Sequence, residues 1–68
     1  MQNWFLLRTT PQAYEAEIIK GLLEDNQIPV MVVNRQDSSY VFLGEIEVYV
    51  PIHLKDVAND LLNGAVTN

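Results

Sequence analysis

Residues 10 to 30 constrain the fold more than any other stretch of this chain. Thr10 can accept from a free amide of a first helical turn. Pro11 suits the first helical position, where a missing N–H leaves nothing unpaired. At about 100° per residue, Tyr14, Ala16, Ile18, Ile19, Leu22 and Leu23 fill one arc, with Glu17, Lys20, Gly21 and Glu24 opposite. Asn26 tolerates the left-handed backbone that closes a helix, and Pro29 forbids its resumption. Ile28, Val30, Met31, Val32 and Val33 then form a largely β-branched run, too short for a second helix. The pattern predicts one helix that turns directly into a buried strand at about Val30 to Asn34.

On either side the periods are equally distinct. Trp4 to Thr9 reads as a first strand, with Phe5 and Leu7 on one face and Trp4, Leu6 and Arg8 on the other. Arg35 to Ser39 is polar and reads as a loop. Tyr40 to Leu43 then either extends a hairpin bent at Gly44 or packs as a loop on its own side chains. Glu45 to Val50 alternates cleanly, turning Ile46, Val48 and Val50 inward and Glu45, Glu47 and Tyr49 outward. After Pro51, the spacing of Leu54, Val57, Ala58, Leu61 and Leu62 predicts a second amphipathic helix, with Gly64 as its terminator and the last residues frayed.

The expected architecture is α+β, in the order β-α-β-β-α: a three-stranded, mostly antiparallel sheet with two helices on one face. A third strand inserted between the other two would make a ferredoxin-like split βαβ lacking its last strand, with the first strand on an open edge. All 68 residues form one domain, with a core from about 4 to 63 and a tail from 64 to 68. A domain of that size buries only about 60% of its unfolded surface, and without cysteine no disulfide can add support. Oligomerisation is the usual remaining route.

Nine acidic residues against four basic give a net charge of −5. A phosphate backbone or an anionic membrane surface needs clustered positive charge, so neither nucleic acid nor membrane is an expected partner. No apolar run approaches the roughly 20 residues that span a bilayer. Met1 to Trp4 shows no signal-peptide pattern, and the lack of cysteine fits the cytoplasm.

Glu15 to Glu24, Ile28-Pro29-Val30, Val48 to Pro51, Val57-Ala58 and Leu61-Leu62 together resemble a bacterial family of domains of unknown function described as putative prokaryotic signal transducing proteins. The similarity spans about residues 4 to 63, and its most specific part is the Glu-Ala helix running into Ile-Pro-Val. Gln27 stands where the family usually has glycine, which leaves the helix stop to Asn26 or to a strained Gln27. The resemblance implies a compact α+β fold related to the ferredoxin-like trimeric nitrogen-regulatory proteins.

Glu15 is the odd residue of the first helix, a carboxylate set between Leu22 and Ile19 on the apolar arc. It either faces a cleft or reaches back to free amides under the helix dipole. His53, Asp56 and Asp60 form a row on the second helix that reads as a solvated face and not a metal site, so no metal or cofactor is expected. Ser38 and Ser39 lack a triad context, the three glycines are isolated, and Glu45 and Glu47 look exposed, with Arg8 as a simple partner. No enzyme is expected.

With both helices on one side, Trp4, Leu6, Arg8, Met31, Val33 and Tyr49 should line an uncovered sheet face suited to protein contact. The reading that follows is a non-catalytic regulatory or adaptor module that self-associates as a dimer or trimer or binds a protein partner. Its alternative is a small-molecule sensor with a pocket near the first helix N-terminus and the 35–44 loop, using Tyr14, Glu15 and Tyr40.

Overall fold

A computed structural model describes residues 3–35 and 45–66. The elements run β1 (Trp4–Thr10), α1 (Ala13–Asp25), β2 (Met31–Asn34), β3 (Ile46–Pro51), a 3₁₀ turn (Ile52–Leu54) and α2 (Lys55–Val66). The sheet order is β1-β3-β2, and both outer strands run antiparallel to β3. This is the expected split βαβ without a final strand, and among the described residues the outer side of β1 has no sheet partner.

The period-two residues of β3 form its centre. Ile46, Val48 and Val50 are buried, and the intervening Glu47, Tyr49 and Pro51 are half-buried on the other face. On the buried side Leu7, Leu23, Ile28, Val50, Ala58 and Leu62 pack as one group, and Ala16, Ile46 and Val48 as a second. Ile19 and Val30 touch both groups and join them. Helix and sheet make a slab only 16 Å thick.

Three local expectations change. The first concerns the start of α1. Thr10 stays in the sheet opposite Ile46, so Pro11 lies before the helix and Gln12 is the N-cap residue. The Thr10 hydroxyl still accepts from the Gln12 amide, at 3.0 Å, across that turn.

The second concerns the rotation of α1. Ala16 and Leu23 are buried and Ile19 and Leu22 partly so, whereas Tyr14 and Ile18 are 64% and 65% exposed. The apolar arc is wider than the floor that a three-stranded sheet offers. The small Ala16 seats the helix against Ile46 and Val48, and the far half of the arc is left outside.

The third concerns helix ends. Of the two residues open for the stop of α1, Gln27 takes the left-handed conformation, with φ 61°, and Asn26 does not. Gly64 does not stop α2, which continues to Val66.

Candidate functional site

The face of the sheet away from the helices is organised by register. Leu6 lies opposite Tyr49, and Tyr49 opposite Met31, so one residue from each strand forms a row across the sheet. Trp4 and Pro51 flank this row on one side, and Thr9, Glu47 and Val33 on the other. Leu6 is 41% exposed, and Trp4, Met31, Val33 and Tyr49 are half-buried.

Among the described residues, a group of side-chain hydrogen bonds lies at one end of this face. The Tyr49 hydroxyl donates to Glu47 Oε1 at 2.9 Å, and Arg35 Nε reaches the same oxygen at 3.1 Å. The Tyr49 bond first, and then the Arg35 bond, hold the Glu47 carboxyl below the ordinary glutamate range. The same carboxylate raises the Tyr49 phenol and the Arg35 guanidinium, in each case chiefly through its hydrogen bond. Arg35, and not Arg8, is therefore the partner of Glu47.

Arg8 also leaves the open face. Register slips between Leu6 and Arg8, which makes Leu7 the extra residue of a β-bulge. Arg8 then lies opposite the buried Val48, on the helix side, and its Nη1 donates to the Leu7 carbonyl at 2.8 Å. A bulge arises from the pairing of distant strands, so nothing in the spacing of residues 4 to 10 announces it.

The bulge helps to shape a groove. Arg8, Thr9 and Thr10 of β1 and Tyr14, Glu15, Ile18 and Ile19 of α1 enclose about 410 Å³. Of the three expected ligand residues, Tyr14 and Glu15 meet here, and Tyr40 lies outside the described residues. The Thr10 hydroxyl donates to Glu15 Oε1 while accepting from the Gln12 amide. Glu15 thus reaches back as far as a β1 side chain and not to a free amide of the first turn. Ile18 lines the groove although the helical period sets it on the apolar arc with Leu22 and Leu23.

A smaller hollow along β1 is lined by Phe5, Leu7, Arg8, Lys55, Asp56 and Asn59. In it Lys55 Nζ lies 5.7 Å from the centre of the Phe5 ring. His53 sits in the 3₁₀ turn ahead of α2. Among the described residues, no group of His, Asp or Glu is gathered to hold a metal ion.

The fold and its surfaces define a small α+β domain, with no helix among the described residues long and apolar enough to cross a membrane. The chain belongs to the family described as putative prokaryotic signal transducing protein, whose model matches residues 4–65. No curated protein and no solved structure matches the chain.

Proposed function

We propose that this chain is a cytoplasmic, non-catalytic adaptor or regulatory module that works through protein contact, first of all with a second copy of itself. The observation that carries the reading is the row Leu6–Tyr49–Met31, an apolar line across all three strands on the face opposite the described helices. Three features favour a second copy as the occupant. The small domain gains most from further burial. Both signs of charge, Arg35 and Glu47, stand at one end of the face, so a twofold partner meets complementary groups. Face-to-face packing of two such sheets also leaves the helices and both grooves outside the contact. The family's description as signal transducing proteins agrees with a module whose output is contact and not turnover.

Native mass spectrometry of the purified chain tests the reading, with Leu6→Glu as the disrupting variant and Val57→Glu as its control. Val57 is 52% exposed on α2, so the control adds the same charge away from the sheet. The wild type and Val57→Glu are expected as oligomers, and Leu6→Glu as a folded monomer. A monomeric wild type, or a Leu6→Glu protein that remains assembled, overturns it.

A further inference from the structure

The groove between β1 and α1 holds two opposite charges that do not neutralise each other. Among the described residues the ion pairs are Arg35–Glu47 and Lys55–Asp56; Arg8 and Glu15 line one groove yet form none. Each is held by a local bond instead. Arg8 is tethered through Nη1 to the Leu7 carbonyl, and Glu15 through Oε1 to the hydroxyl of Thr10, itself only 3% exposed and fixed by the Gln12 amide. A guanidinium has five N–H donors, so Arg8 keeps several to offer, and Glu15 keeps its second oxygen. The groove is lined besides by the exposed Tyr14 and Ile18 and the half-buried Ile19. The volume falls within the range of about 300–1,000 Å³ usual for small-ligand sites.

These features select among ligand classes. A phosphate or simple carboxylate meets Glu15 and a net charge of −5, and a simple amine meets Arg8. A species carrying an ammonium and a carboxylate on one carbon offers a partner to each charge, and an apolar side chain on that carbon covers Tyr14 and Ile18. We infer that this groove is a binding site for a free α-amino acid with an apolar side chain. Its carboxylate meets the Arg8 guanidinium, its ammonium meets Glu15, and its side chain lies on Tyr14 and Ile18. Fixed charges already in place lower the ordering cost of binding. The site shares Thr9 with the edge of the open sheet face but not the Leu6–Tyr49–Met31 row, and would act as an effector site on the module.

The test is a ¹⁵N–¹H NMR titration of the full chain with leucine, beside 4-methylpentanoate, which lacks the amine, and 3-methylbutylamine, which lacks the carboxylate. Saturable shifts are expected at the amides of Thr9, Thr10, Glu15 and Ile18 with leucine. Both analogues should bind about tenfold more weakly or worse, the loss expected for one charge-assisted contact. Arg8→Met and Glu15→Gln should each lose affinity by a similar factor while keeping the wild-type spectrum elsewhere and the wild-type oligomeric state. Valine, isoleucine, methionine and phenylalanine complete the set. The inference is overturned if none of the five amino acids gives saturable shifts in the groove. Analogues that bind as well as leucine, or shifts confined to the Leu6–Tyr49–Met31 face, overturn it equally. None of these outcomes depends on whether the chain self-associates, because leucine is compared with its analogues on the same sample.

Discussion

The amide of Ile28 donates to the carbonyl of Leu23 at 3.0 Å, reaching back over the end of α1, while the Gln27 amide bonds to Glu24. Together with the packing of Ile28 and Leu23 in one core group, this is a Schellman closure. It requires a left-handed residue between them, and Gln27 supplies it with φ 61°. A side chain in that conformation costs about 1–2 kcal/mol. Gln27→Gly removes that strain and gives back part of the gain through a freer unfolded chain. The expected net effect is a stabilisation of about 0.5–1 kcal/mol, seen as a thermal midpoint several degrees higher, since a domain of this size moves by roughly 4–8 °C per kcal/mol. Gln27→Val should shift the midpoint downward. An unchanged or lower midpoint for Gln27→Gly contradicts the strain.

Thr10 ties the end of β1 to the first turn of α1 by accepting from Gln12 and donating to Glu15. Thr10→Val keeps the buried shape and removes both bonds. It should destabilise the chain by about 1–2 kcal/mol, the range for losing a capping hydroxyl and leaving an amide unmatched. A double-mutant cycle with Glu15→Ala, read by urea denaturation, should give a coupling of about 0.5–1.5 kcal/mol. Additive effects would show that the Thr10–Glu15 bond contributes nothing in solution.

Much of this fold is legible in the residues because one-sided burial leaves a period. Ile46, Val48 and Val50 alternate without interruption, and β3 forms where that alternation predicts a strand, while its place at the centre of the sheet comes from the pairing with both neighbours. Ala58 and Leu62 likewise mark the buried line of α2. What the residues do not carry is set between elements. The bulge at Leu7 depends on register against β3, and it removes Arg8 from the open face that simple alternation assigns it. The rotation of α1 depends on the width of the sheet beneath it, so Tyr14 and Ile18 follow the helical period and yet lie outside the core. Trp4, Leu6, Met31, Val33 and Tyr49 stay on the open face because no bulge intervenes between them and their partners.

The cluster of Glu47, Tyr49 and Arg35 gives the open face a pH signature. Glu47 has a depressed carboxyl in the folded chain. Its contribution to stability is therefore complete above the ordinary glutamate value of about 4.3 and is lost as pH falls through the lower folded value. The Tyr49 phenol is raised. Its contribution is complete below the ordinary tyrosine value of about 10 and is lost as pH rises through the higher folded value. Tyr49→Phe removes the leading cause of the Glu47 shift and leaves the Arg35 bond. A ¹³C NMR titration of the Glu47 carboxyl should then show its midpoint moving up toward the ordinary value. If the midpoint stays where it is in the wild type, Tyr49 is not the main cause.

The rotation of α1 yields the sharpest contrast within one helix. Leu23 is fully buried between Ile28, Val50 and Leu62, and Ile18, a residue of similar size on the same amphipathic pattern, is 65% exposed. Truncating a buried leucine removes transfer energy and leaves a cavity, together about 2–5 kcal/mol. Against a total of about 5–15 kcal/mol for a typical domain, that loss should leave Leu23→Ala unfolded or nearly so at physiological temperature. Ile18→Ala removes little buried surface and lies away from the open sheet face. It should stay within about 0.5 kcal/mol of wild type in urea denaturation. The two substitutions thus read which half of the arc meets the sheet. Comparable losses at both positions would place Ile18 in the core, and the groove beside Arg8 and Glu15 would lose its apolar wall.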